Sequence, residues 1–296
     1  MNGSTIGFAG WSAEQEMRCN GVETLRPMRI LRLPIDDVSD QHDSALLARF
    51  ADDCDVVFVE LPAHATGSAL QTIIRTGTPL LAAMPGGMSQ HELRHLCRLA
   101  EESKSIAAVS RPLRFLPTVE GIRENDQKVE LIWGEFVRTA DQPRSGHIAE
   151  IVDLVVLLIG SRGIQRLDAK SIVEDDRAET LVLSIRFQNT GLAVMRFRVC
   201  DGEPENSTLN ISGSWGTVNL FEGVRPQLPE LIVAEARAFA GRTISDLRVA
   251  RGEESIVFDG FRFHVGRPAA LEEAQDTARV VEQIMERLRQ HDSLAI

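Results

Sequence analysis

The run Asp55 to Leu61, DVVFVEL, places the first limit on what this chain can fold into. Val56, Val57, Phe58 and Val59 leave no polar face, so the segment reads as a strand buried on both sides. A strand of that kind needs helices above and below its sheet, and the flanking sequence alternates accordingly. Strand-like runs at 4–10, 29–33, 79–83 and 105–109 are separated by helix-compatible stretches at 12–26, 42–51, 66–76 and 89–103. Ser12 is placed to cap the first helix, and Pro34 closes the second strand. Short apolar strands alternating with helices predict an α/β domain, a Rossmann-like doubly wound parallel sheet.

The pattern changes further along. A helix at 117–124 precedes a strand at 128–138 and a nearly all-apolar helix at 147–159. In 192–199, Ala193, Met195, Phe197 and Val199 alternate with Arg196 and Arg198, a period of two with one wetted face. Residues 180–187, 207–212 and 216–221 read the same way, with Gly213 and Gly216 as turns, and a long amphipathic helix follows at about 268–290. The expected second domain is therefore α+β, with a mostly antiparallel, open-faced sheet. The expected boundary divides 1–124 from 125–296.

Composition removes several function classes. The 32 Lys+Arg against 43 Asp+Glu give a net charge of −11 without a basic block, which disfavours a nucleic-acid partner. Apolar runs stay short of the roughly 18 residues that a membrane span needs. The start MNGSTIGFAGW has neither the basic nor the apolar part of a secretion signal. Cys19, Cys54, Cys97 and Cys200 are far apart with no CxxC, so no metal site or disulfide framework is expected and the setting reads as cytoplasmic.

Ligands of a doubly wound sheet bind at the carboxyl ends of its strands, first at the turn after the first strand. That turn is Gly10-Trp11-Ser12-Ala13-Glu14-Gln15. Against G-x-G-x-x-G it keeps the first glycine, with Ser12 and Gln15 in the other two places. The helix start still offers free N–H groups and a positive dipole end to an anion. Asp36 and Asp37 follow the second strand and are candidates for a ribose contact. These residues fit either a dinucleotide site or a plain turn into a helix.

The segment from VELPAHATGSAL through AAMPGGMSQHEL to RPLRFLPTV resembles the Gfo/Idh/MocA family of NAD(P)-dependent oxidoreductases. Pro62 and His64 stand at that family's P-N-H turn, Met84 and Pro85 at its E-K-P motif, and Arg114, Phe115 and Pro117 at its R-F-x-P. Glu150, Asp153 and Gly160 fall on its H-x-x-D-x(6)-G helix, and GSWGTVNL is similar to its G-x-x-G strand turn. The resemblance implies NAD or NADP as cofactor, held by Gly10, Trp11, Ser12, Ala13, Asp36, Pro62, His64, Met84, Pro85 and Arg114. It implies hydride transfer on a sugar or polyol-like small molecule, and a homodimer or homotetramer paired through the open face of the second sheet.

Two departures bear on catalysis. Met84 replaces the family lysine and carries no titratable proton. Glu150 replaces the family histidine, leaving Glu150, Asp153 and His64 as the catalytic candidates. Glu150 and Asp153 are neighbours on one helix face and interrupt an apolar helix, where an unpaired charge is costly. Arg111, Arg114, a water, a metal or a substrate hydroxyl are the expected partners. His147, Glu150 and Asp153 drift around a straight helix too far to share one ion comfortably, so they read as polar residues at the wet mouth of a cleft. His91 and His95 read as a solvated helix face, and Arg196 and Arg198 as the wet side of a sheet. The competing function is a non-catalytic family member, a pseudoenzyme that binds a metabolite or protein partner. A lyase or isomerase using a carboxylate base is the third reading and lacks an electrophile for an enolate.

Overall fold

The structure, a computed structural model, describes residues 4–10, 13–23, 28–33, 44–61, 63–83, 88–138, 144–160, 163–175, 178–200, 207–223, 228–250 and 269–292. These form two units: Met1–Phe115 with Leu228–Gln275, and Leu116–Gln227 with Asp276–Ile296.

The first unit holds five parallel strands: β1 (Ser4–Ala9), β2 (Met28–Leu33), β3 (Val56–Glu60), β4 (Leu80–Ala83) and β5 (Ala107–Val109). They run in the order β5-β4-β3-β1-β2, and β12 (Ala269–Ala270) adds an antiparallel edge to β5. Val56 to Val59 are at most 1% exposed, as a strand covered on both faces requires. The helices α1 (Ala13–Glu23), α2 (Ser44–Asp52), α3 (Ala63–Thr76) and α4 (Gln90–Ser103) link the strands. Helix α4 starts with a capping box: Glu92 N–H donates to the Ser89 hydroxyl, and the Glu92 carboxylate accepts from Ser89 N–H at 2.8 Å.

Alternation does not announce the next element. Helix α7 (Leu228–Ala250) returns to the first unit and packs against α1, β3 and the 3-10 turn Pro112–Phe115. Its Ala236, Phe239, Ala240 and Ile244 join Ile6, Phe8, Cys19, Val56, Phe58, Leu81 and Ala108 in one core cluster. Phe58 stacks on Phe8 at 5.0 Å and meets Phe239 edge-on at 6.2 Å. The expected boundary at 124/125 therefore differs from the observed division in two ways. It falls after Phe115, just before Pro117 opens α5 (Pro117–Glu124), and residues 228–275 rejoin the first unit because α7 completes that unit's core.

The second unit is built on β6 (Leu131–Arg138), β7 (Ile164–Asp175), β8 (Ala178–Phe187), β9 (Leu192–Cys200), β10 (Ser207–Gly213) and β11 (Gly216–Gly223). The order is β11-β10-β6-β9-β8-β7, antiparallel except for the parallel pair β6–β9. The alternation in β9 resolves as expected: Ala193, Met195 and Phe197 are buried, while Val194 and Arg196 are exposed. Phe197 stacks on Phe136 at 5.0 Å on the inner face. On the outer face Trp133 pairs in register with Val194, and Glu135 with Arg196. Helix α6 (Arg144–Ile159) contributes buried Ile151, Val152 and Val155. The β7 strand, whose side chains mix apolar and charged along an edge, is the other long element that sequence periodicity leaves out.

Phe58 lies between two rings and is fully buried, so Phe58→Ala is expected to cost about 3–5 kcal/mol. Denaturant unfolding of the full chain measures this. A loss below about 1 kcal/mol would show that α7 does not complete this core.

Candidate functional site

The carboxyl ends of β1 and β3 form the switch point of the parallel sheet, since the chain leaves β1 for β2 on one side and resumes at β3 on the other. Gly10 sits at the end of β1 with φ +84°, and its N–H donates to Leu33 O at 2.9 Å. A Cβ at this position would lie 1.8 Å from the Glu60 carbonyl oxygen. Only glycine fits both the left-handed backbone and the approach of β3. Ala13 is the first residue of α1, whose leading N–H groups face no earlier helical turn. On the far side, Thr66 Oγ1 donates to Leu61 O at 2.9 Å and ties the start of α3 to the end of β3.

A buried polar chain runs behind this edge. Arg18 of α1, 2% exposed, donates through Nη1 to Glu60 Oε2 at 2.8 Å and through Nη2 to Ser110 Oγ at 3.2 Å. The Ser110 hydroxyl, just past β5, donates to Glu235 Oε2 at 2.5 Å. Glu235 Oε1 accepts from Arg111 N–H at 2.6 Å. Glu235 is 0% exposed on α7. Burial pushes its carboxyl up to about 7, against the opposing pull of the Ser110 hydroxyl, the Arg18 charge and the Arg111 N–H and guanidinium. The ends of two strands, β3 and β5, and two helices, α1 and α7, are thus joined through one guanidinium, one hydroxyl and two carboxylates.

The residues expected from sequence fall in several places. Gly10 and Ala13 stand at the switch point. Trp11, Ser12, Asp36, Asp37, Pro62, Met84 and Pro85 lie outside the described residues. His64 is the second residue of α3. Arg114 is 2% exposed and donates to Glu273 Oε2 at 2.7 Å, a buried ion pair within the first unit. Glu150 and Asp153 lie on α6 of the second unit, Glu150 half-buried and Asp153 2% exposed. One partner of Asp153 is Thr277 of α8 (Leu271–Asp292), whose hydroxyl donates to Oδ1 at 3.3 Å. His91 and His95 are exposed. Among the described residues no group of three or more His, Cys, Asp or Glu is arranged to hold a metal ion. No described helix is long and apolar enough to cross a membrane.

Sequence reasoning missed Arg18, Glu60, Ser110 and Glu235. A signal existed: Glu60 ends an otherwise apolar strand, and Glu235 interrupts the stripe Leu231, Ile232, Ala236, Phe239, Ala240. A charge inside a buried stripe calls for a partner. Its partners are distant in sequence, which pattern reading does not reach.

Comparison of the whole fold gives extensive matches among solved structures. A dehydrogenase from Chromobacterium violaceum superposes with TM-score 0.74, covering 100% of this chain and 98% of that one at 14% identity. The scyllo-inositol dehydrogenase of Lactobacillus casei, solved with NAD(H) and scyllo-inositol, gives 0.71, covering 98% of both chains at 10% identity. The Synechocystis biliverdin reductase, solved with biliverdin and NADP+, gives 0.67, covering 96% of this chain and 98% of that one at 14% identity. No family model and no curated protein matches the sequence.

Gly10→Ala places a methyl against the Glu60 carbonyl at a left-handed φ, so it is expected to destabilise the chain by more than about 2 kcal/mol. Chemical denaturation reads this directly. A neutral result would mean that β1 and β3 do not approach as described.

Proposed function

We propose that this chain, which has the two-unit fold of Gfo/Idh/MocA-type dehydrogenases, is an NAD(P)-dependent oxidoreductase acting on a sugar or polyol-like hydroxyl or carbonyl. The observation that carries the reading is the Gly10 cradle: a backbone with no room for a Cβ, at the switch point, leading into the start of α1. That geometry fits a pyrophosphate, which needs close backbone approach and helix N–H donors. The fold match to structures holding NAD(H) and NADP+ supports a nicotinamide cofactor without choosing between the two.

In this reading Gly10 and the start of α1, with Trp11, Ser12 and Ala13, hold the pyrophosphate. Asp36 reaches a ribose hydroxyl, and Pro62, His64, Met84 and Pro85 line the nicotinamide side. The cofactor supplies the hydride acceptor or donor. Met84 offers no proton, so proton transfer falls to a carboxylate oxygen of Glu150, with His64 as a second candidate. Asp153, buried and bonded to Thr277, stays the third candidate and ties α6 to α8. Arg114, engaged with Glu273, supports the end of the first unit.

The competing reading is a pseudoenzyme of the same fold, favoured by Ser12 and Gln15 in place of glycines and by Met84 in place of lysine. Titration with NADH, NADPH, NAD and NADP separates the two, followed by tryptophan fluorescence with Trp11 as reporter and repeated by calorimetry. Saturable micromolar binding of one cofactor is expected, and Glu150→Gln is expected to lower kcat by about 100-fold or more with cofactor affinity kept. Absence of binding of all four at millimolar concentration overturns the oxidoreductase and leaves a metabolite or partner site.

A second copy of the chain is the occupant proposed for the outer face of the second sheet, where Trp133 and Val194 are 37% and 38% exposed side by side. Light scattering is expected to give a dimer or tetramer that Trp133→Glu breaks down. A wild-type monomer contradicts this.

A further inference from the structure

Glu235 is fully buried on α7 beside the apolar residues Ala236, Phe239 and Ala240, yet it is bonded to Ser110 and Arg111 and lies within the field of two guanidinium groups. Helix α1 presents Arg18, which also holds Glu60 at the end of β3. The residues after β5 present the Ser110 hydroxyl and the Arg111 N–H, and the Arg111 guanidinium acts on the carboxylate through its charge. Beside the apolar packing of Ala236, Phe239 and Ala240, the polar bonds from α7 to the residues after β5 therefore pass through one ionisable group.

We propose that Glu235 is a proton-operated latch that sets how firmly α7 is held on the parallel sheet. The bonding pattern around it accepts two protonation states. When Glu235 is ionised, Ser110 donates to Oε2 and Arg111 N–H donates to Oε1. When Glu235 is protonated at Oε2, the carboxyl donates to Ser110 Oγ, whose hydroxyl hydrogen rotates away, while Oε1 keeps Arg111 N–H. The contacts persist in both states, and the difference is a buried negative charge. The ionised latch gains when α7 opens and lets the carboxylate reach water; the neutral latch does not.

The sign follows from burial. In the unfolded chain Glu235 titrates near the ordinary 4.5, and in the folded unit at about 7. The native state therefore holds the proton over the intervening range. The stabilisation from this group is fully present below the unfolded value and is lost as pH rises through about 7. The inference is independent of the nucleotide reading, since every group in it belongs to the first unit's own core.

The test is amide exchange of α7 in the full chain, wild type against Glu235→Gln, at about pH 5.5 and about pH 8, corrected for intrinsic exchange. Gln retains the Arg111 acceptor and donates to Ser110, standing in for the neutral acid. The opening of α7 in wild type relative to the variant is expected to rise about tenfold or more between the two conditions. A ratio that stays constant overturns the latch. Should the variant not fold, NMR of wild-type protein labelled at the glutamate carboxyl decides. One resonance titrating near 7 supports the proposal, and all of them titrating near the ordinary value overturn it.

Discussion

The fold of the first unit depends on covering both faces of β3. Val56 to Val59 have no polar side to show water, and the helices that connect the strands do not complete the cover. Helix α7 does so, from beyond the whole second sheet in sequence, by laying Ala236, Phe239 and Ala240 on the Phe8–Phe58 stack. Burial of aromatic area of this kind dominates core energetics. It also has an electrostatic consequence: the helix that closes the core carries Glu235 inward, and the sheet edge must supply partners for it.

That requirement explains why Arg18, Ser110 and Arg111 stand where they do. A buried carboxylate without donors would be costly, and here it has a hydroxyl, a main-chain N–H and two nearby guanidinium charges. Arg18 also engages Glu60, the residue whose carbonyl leaves no room for a side chain at Gly10. The end of β1 at Gly10 and the helix that completes the core are thus linked through Glu60, Arg18 and Ser110. Removal of one partner of such a buried set exposes the cost of the others, which is why its members are expected to act together in mutants.

The order of strands and helices through residue 124 was readable because period-two and period-3.6 patterns are local. Val56–Glu60, Leu80–Ala83 and Gln90–Ser103 all fall within a residue or so of their expected spans. Helix α7 was not legible in this way, because its stripe does not record which unit it will cover. Gly10 was legible as the turn glycine after the first strand, and its φ and the nearness of the Glu60 carbonyl explain why only glycine fits there. The Asp153–Thr277 bond was not legible, since the two residues are far apart in sequence and the docking of α8 is set by tertiary packing.

The proposed activity rests on a nicotinamide nucleotide meeting the chain at the end of β1. Glycine-selective 15N labelling of the full chain, followed through addition of NADH and of NADPH, addresses that contact residue by residue. A saturable shift of the Gly10 amide, assigned by its loss in a Gly10 variant that remains folded, is the result expected. A Gly10 resonance that stays fixed while either nucleotide binds elsewhere, or while neither binds, contradicts the account.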